Sequence, residues 1–184
     1  MTDTEIIALY FDRDEHAIAE TQNKYGNYCR YIANSILADK EDAKECENDT
    51  YLKIWNSIPP NRPSALKAYV GVLCRNTALD RYEKRNTQGR GGGRIASAID
   101  ELEECLPDDR EDISDQIALK DMLDRFLFSL SDKEKQIFMR RYWYMLEVKE
   151  IADLMHLGEN NVKVTLFRTR KKLKEFIEKE GFDR

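Results

Sequence analysis

The chain is interrupted near its middle, and that interruption limits what it can fold into. The glycine-rich stretch "GRGGGR" at residues 89–94 is followed by nine acids and one base between Asp100 and Asp115. Glycine loses the most conformational freedom on ordering, and a block of like charge repels itself. Residues 87–115 therefore read as a flexible acidic linker. The flanks, 1–86 and 116–184, both carry apolar residues at helical spacing. No alternating run bounded by hairpin turns occurs in either, so the expected class is all-α, as two small helical domains. The glycines resemble a phosphate loop in composition, but the Lys-Ser/Thr that would hold phosphate and metal is missing and no strand precedes them.

The chain carries a formal net charge of −5, yet residues 160–176, "NNVKVTLFRTRKKLKEF", hold six bases and no acid before Glu175. At 100° per residue, Val162, Leu166, Thr169, Leu173 and Phe176 fall in one narrow sector, the spacing of a core-facing stripe. Lys163, Arg168, Arg170, Lys171, Lys172 and Lys174 spread over the remaining surface, where Val164 and Phe167 also point outward. Upstream, "VKEIADLMHLGEN" places Val148, Ile151, Ala152 and Met155 on a short apolar face. Two helices joined by a turn of three or four residues, the second one basic, form the pattern of a helix-turn-helix. There the second helix enters the major groove: early side chains reach base edges, while Lys and Arg meet phosphates. Asn160 and Asn161 sit at its start. Ser131 and Glu134 stand in capping-box spacing, which predicts a helix beginning there. Ile137, Phe138, Tyr142 and Trp143 would supply its core.

In the first domain, "DKEDAKECENDTYLKIWNSI" (residues 39–58) reads as an amphipathic helix. Ala43, Cys46, Thr50, Ile54 and Ile58 face a core. Asp42, Glu45 and Asp49 share the opposite side, bordered by Asn48 and Leu52, with Trp55 close by. Acids flanked by apolar groups suit docking to a basic protein surface, although charge alone would also suit a solvated face. After the proline-rich turn "SIPPNRPS" comes "ALKAYVGVLCRNTALDRYEKRN" (residues 65–86). Here Leu66, Val70, Leu73 and Thr77 make one apolar face, Val72 and Leu79 a second, and the end turns basic.

Other classes find little support. The longest uncharged apolar stretch, Tyr31 to Ala38, is far shorter than the roughly 20 residues needed to span a bilayer, so no membrane insertion is expected. The N-terminus lacks the basic start and apolar run of a signal peptide, which points to the cytoplasm. Four cysteines (Cys29, Cys46, Cys74, Cys105) show no CxxC spacing and read as small buried hydrophobes. Only His16 and His156 occur, neither in a metal-ligand pattern, and no nucleophile-elbow motif is present. No enzyme activity, metal or cofactor is expected.

Three stretches in order resemble the bacterial RNA polymerase sigma factors, specifically the small two-domain extracytoplasmic-function group. "DAKECENDTYLKIW" looks like the helix that binds the β′ clamp helices of core polymerase. "LKAYVGVLCRNTALDRYEKR" looks like the helix that opens and reads the minus-ten element. "VKEIADLMHLGENNVKVTLFRTRKKL" looks like the helix-turn-helix that reads the minus-thirty-five element. The resemblance implies domains at 1–86 and 116–184, and a transcription initiation factor that directs polymerase to specific promoters and assists their opening. It assigns Asp42, Glu45, Asn48, Asp49 and Trp55, with the bordering Leu52, to core polymerase. Asn61 and Arg62, in a loop that captures an unstacked base, go to the minus-ten element with Arg75, Asn76, Asp80, Arg81, Lys84 and Arg85. Asn160, Asn161, Lys163, Val164, Phe167, Arg168, Arg170, Lys171 and Lys172 go to the minus-thirty-five element. Implied partners are core RNA polymerase (β′ clamp helices and β subunit), promoter DNA, and an anti-sigma factor covering the polymerase-facing surfaces.

The chain departs from the family at two turns. His156 replaces the usual Gly, and His tolerates a left-handed backbone better than most residues. Ser131 replaces the usual Pro and caps equally well. The acidic linker suits either a basic nucleic-acid channel, as a mimic of RNA charge, or a solvated spacer. The competing assignment is a helix-turn-helix regulator with an unrelated N-terminal domain and no sigma activity.

Overall fold

The computed structural model describes residues 1–86, 93–103, 105 and 116–180. Among them every regular element is a helix, and the chain divides into two compact units, Met1–Gly91 and Gly92–Arg184.

The first unit holds α1 (Asp3–Phe11), α2 (His16–Leu37), α3 (Lys40–Ser57) and α4 (Leu66–Asn86). Local chemistry sets the ends of these helices. Thr2 and Glu5 form a reciprocal capping box that starts α1. Ala38 closes α2 in the left-handed region at φ 53°, and the next residue, Asp39, accepts from the amides of Glu41 (2.9 Å) and Asp42 (3.0 Å) to open α3. A cap of this kind contributes about 1 kcal/mol.

All five residues expected to line the core face of α3 are buried, from Ala43 to Ile58. The face of α4 is turned slightly from the expected one. Leu66, Val70, Cys74 and Ala78 are fully buried and Thr77 nearly so, while Leu73 is only half-buried. Small residues explain the rotation, because they let α4 approach its neighbours closely. A Cβ at Gly71 would lie 2.7 Å from the Tyr28 hydroxyl of α2. Cys29, Cys46 and Cys74 are free and buried in this core, as their spacing suggested. The Cys74 thiol donates to the Cys29 carbonyl (3.4 Å) and the Cys46 thiol to the Cys74 carbonyl (3.7 Å). These hydrogen bonds and burial push both thiols up, Cys74 to about 12, which leaves little reactive thiolate.

The second unit holds α5 (Gly93–Glu103), α6 (Gln116–Ser129), α7 (Asp132–Tyr142), α8 (Val148–Met155) and α9 (Glu159–Glu180). Helix α5 lies inside the span expected to be a flexible linker, and the unit begins at Gly92 rather than 116. Ile95 and Ala98, one turn apart, are buried together with Cys105, and Glu101 has guanidinium partners. The linker expectation counted Glu101 as one of the nine acids of a flexible tether. Residues 87–92, with most of the glycine cluster, and 104 and 106–115, with most of the acids, lie outside the described residues.

The Ser131–Glu134 capping box forms as its spacing predicts. Val162, Leu166, Thr169 and Leu173 of α9 are buried, Phe176 is half-buried, and Ile177 extends the stripe by a turn. Each buried Val, Leu or Ile is worth about 1.5–3 kcal/mol. Phe126 of α6 meets Phe138 of α7 and Phe176 of α9 edge-on, with ring centroids 5.6 and 5.8 Å apart.

Candidate functional site

Helix α8 ends where His156 enters the left-handed region (φ 52°, ψ 46°), and the Leu157 amide returns to the Ala152 carbonyl at 2.9 Å. Histidine thus takes the turn that glycine more often fills. With three residues between it and Met155, Glu159 begins α9 and completes the expected helix-turn-helix.

Asn160, Asn161, Lys163, Val164, Phe167, Arg168, Lys171 and Lys172 all lie on the exposed side of α9. Phe167 leaves 63% of its surface in solvent, and Val164, one turn earlier, 39%. Some of these side chains already have partners. Asn161 accepts from Lys133 of α7 (3.0 Å), and Lys172 donates to Glu134 (2.7 Å). Lys163 lies 3.9 Å from Glu159 on the preceding turn.

Arg170 differs from the sequence expectation. It is half-buried and donates to Glu101 of α5 and to the Tyr142 hydroxyl, both at 3.0 Å. Glu101 also accepts from Arg141 (2.6 Å) and Tyr142 (2.9 Å). The Arg141 side chain is only 6% exposed and reaches the Leu146 carbonyl as well (3.1 Å). Burial works against ionisation of Glu101, but hydrogen bonds from Arg141 and Tyr142 and the two guanidinium charges outweigh it. Its carboxyl therefore titrates below the usual glutamate range. The wheel set Arg170 off the core stripe, but α5, which covers it, comes from outside the motif.

In the first unit the acids expected to face a protein partner and the bases expected to face DNA meet each other. Arg81 of α4 donates to Asp49 through Nε (3.1 Å) and Nη2 (2.7 Å), and to Glu45 through Nη1 (2.9 Å). Arg85 reaches Asp42 at 2.6 Å, and Lys53 reaches Asp80 at 3.3 Å. Sequence reasoning set Arg81 and Arg85 with the bases of α4 and gave no sign of this ladder.

The remaining candidate residues lie around it. Asn48 and Leu52 are exposed, and Leu52 leaves 59% of its surface uncovered. Trp55 is half-buried. The Tyr10 ring lies 6.1 Å from it and the Arg13 guanidinium 5.3 Å, while Arg13 also donates to the Trp55 carbonyl (2.7 Å). In the following loop Asn61 is anchored to the Ser57 carbonyl by its amide (3.1 Å) and side chain (3.0 Å). Arg62 lies 4.7 Å over the Phe11 ring. Asn76 and Lys84 are exposed, whereas Arg75 is half-buried and burial lowers its pKa. Helix α1 thus supports both Trp55 and the loop, a role that no motif in its sequence announces.

Among the described residues no group of three His, Cys, Asp or Glu is placed to hold a metal ion. No described helix is long and apolar enough to cross a membrane.

Comparison with known proteins gives two family matches in chain order. The family described as Sigma-70 region 2 matches residues 22–88, and Sigma-70, region 4 matches residues 120–173. Among curated relatives, the ECF RNA polymerase sigma factor SigM of Bacillus subtilis (strain 168) is 23% identical over 85% of this chain and 93% of its own. The RNA polymerase sigma factor SigV of the same organism is 25% identical over 81% of this chain and 84% of its own. A solved structure of CnrH in complex with the cytosolic domain of CnrY covers 97% of this chain and 99% of that one. It shares 16% identity at a TM-score of 0.42, a likeness too loose to carry an argument.

Proposed function

The chain belongs to the sigma-70 family, within its extracytoplasmic-function group, and from that premise we propose which of its surfaces meet polymerase and which meet promoter DNA. As a sigma factor it acts in transcription initiation, and members of that family are not enzymes. The region 2 and region 4 matches, one on each helical unit, carry the assignment. They do not favour a regulator with an unrelated N-terminal domain.

Asp42, Glu45, Asn48, Asp49, Leu52 and Trp55 form the docking face for core polymerase, presented to the β′ clamp helices. Its make-up supports this: acids in a stripe beside an exposed leucine and a half-exposed tryptophan suit a basic partner surface with an apolar centre. Asn61, Arg62, Arg75, Asn76 and Lys84 take the minus-ten element. The tethered loop supplies a pre-formed edge for an extruded base, whose unstacking costs a few kcal/mol. On α9, Asn160, Lys163, Val164, Phe167 and Arg168 read the minus-thirty-five element, and Lys171 and Lys172 anchor phosphates. The β subunit lies against the second unit. An anti-sigma factor competes for the docking face, and the site of action is the cytoplasm, where polymerase and chromosome are.

Core polymerase reconstituted with this chain should start transcription at defined positions on genomic DNA, with no other sigma factor present. Transcript ends that match those of core enzyme alone would overturn the reading. Lys171→Gln should weaken promoter binding about equally across sequences and reduce its salt slope by about one, whereas Lys163→Gln should change which sequences are preferred.

A further inference from the structure

Resting on the docking face proposed above, we infer that Arg81, with Arg85 beside it, is a positioning residue for the polymerase-facing carboxylates and not a contact to promoter DNA. Arg81 spends three N–H groups on Asp49 and Glu45, and only 26% of its side chain is exposed. Two N–H groups remain, but the two carboxylates beside them disfavour the approach of a phosphate. Asp42, Glu45 and Asp49 occur at spacings of three and four, so they form one stripe along α3. Arg81 and Arg85 run along that stripe from α4 and fix its rotamers. Planar guanidinium forks suit this task, because two N–H groups can hold one carboxylate in a set orientation. Side chains ordered before a partner arrives cost less freedom on binding.

Charge alone makes the opposite prediction. Three carboxylates against two guanidiniums leave the stripe with one net negative charge. Removing Arg81 makes it more negative, which would strengthen attraction to a basic surface. Positioning requires weaker binding, and a DNA contact requires no change in polymerase affinity. The three roles therefore differ in sign.

The experiment measures affinity of the labelled full chain for core polymerase without DNA, then the salt dependence of promoter binding by the assembled holoenzyme. Arg81→Ala should weaken core binding roughly five- to tenfold and leave the salt slope of promoter binding unchanged. Arg81→Lys, which keeps the charge but not the fork, should recover only part of the loss. Arg81→Ala combined with Asp49→Asn should lose less than the sum of the two, since one acts through the other. Equal or tighter core binding by Arg81→Ala, or a salt slope reduced by about one, would overturn the assignment. Hydrogen exchange in α3 and α4 reports whether the variant is folded, and if Arg81→Ala is not, Arg81→Lys carries the same two readouts. Asp49→Arg separates this inference from the docking face itself. If it leaves core binding intact, the face is wrong; if it weakens binding while Arg81→Ala does not, only the positioning role fails.

Discussion

Each unit joins a charged helix to a neighbour through arginine and carboxylate, but the two networks differ in depth. In the first unit the ladder between α3 and α4 stands at the surface, with Asp49 49% and Arg85 58% exposed. In the second, Glu101 gathers Arg141, Arg170 and Tyr142 in a cluster where the Arg141 side chain is nearly sealed from water. Exposed ion pairs contribute about 0–1 kcal/mol each, so the ladder shapes a face without holding the unit together. A buried guanidinium stripped of its carboxylate is costly, so the cluster fastens α5 to α7 and α9. Similar groups thus organise a surface in one place and secure a fold in the other, according to how much solvent reaches them.

The sharpest way to break this comparison is Glu101→Ala. It leaves Arg141 buried without its carboxylate and should destabilise the second unit by about 2–3 kcal/mol, near the low end for a broken buried pair because Glu101 keeps some exposure. Hydrogen exchange resolved by unit should show the loss in α5, α7 and α9 and none in α2–α4. A uniform small change in both units would erase the distinction.

A smaller effect should follow from pH. The folded Glu101 carboxyl titrates below its ordinary value. Its contribution is therefore fully present above the unfolded pKa of about 4.3 and disappears as pH falls through the lower folded value. Second-unit stability should fall more steeply on acidification in the native chain than in Glu101→Gln. Parallel curves would show that the charge of Glu101 contributes nothing.

The smallest expected effects belong to the ladder. Arg85→Gln should change first-unit stability by no more than about 0.5 kcal/mol. Thermal melts of that unit should also move little when 1 M salt shortens the screening length to about 3 Å. A loss of about 2 kcal/mol in either test would mean that the ladder is structural after all.

Legibility in the sequence followed the range of the interactions. Periodicity carried the α3 and α9 core stripes, where side chains three and four apart face the same way whatever they pack against. Short-range chemistry carried the Ser131–Glu134 box and the left-handed turn at His156, since each depends on a few consecutive residues. The face of α4 was harder to read: cysteine and alanine each bury little apolar area, yet their small size sets how closely that helix packs. Helix α5 was missed because an acid count cannot tell a free carboxylate from one paired within the chain, while Glu101 has partners 40 and 69 residues away.

By itself the sequence determined the helical class, the division into two units, the helix-turn-helix and the family, because all of these rest on local spacing and motif order. Only the tertiary structure decided which charges face outward. Arg81, Arg85 and Arg170 have the same composition signal as Arg168, but three-dimensional neighbours neutralise the first three. Whether a charge is available to a partner depends on what lies within a few ångströms of it, and for these residues those neighbours are more than 25 positions away along the chain.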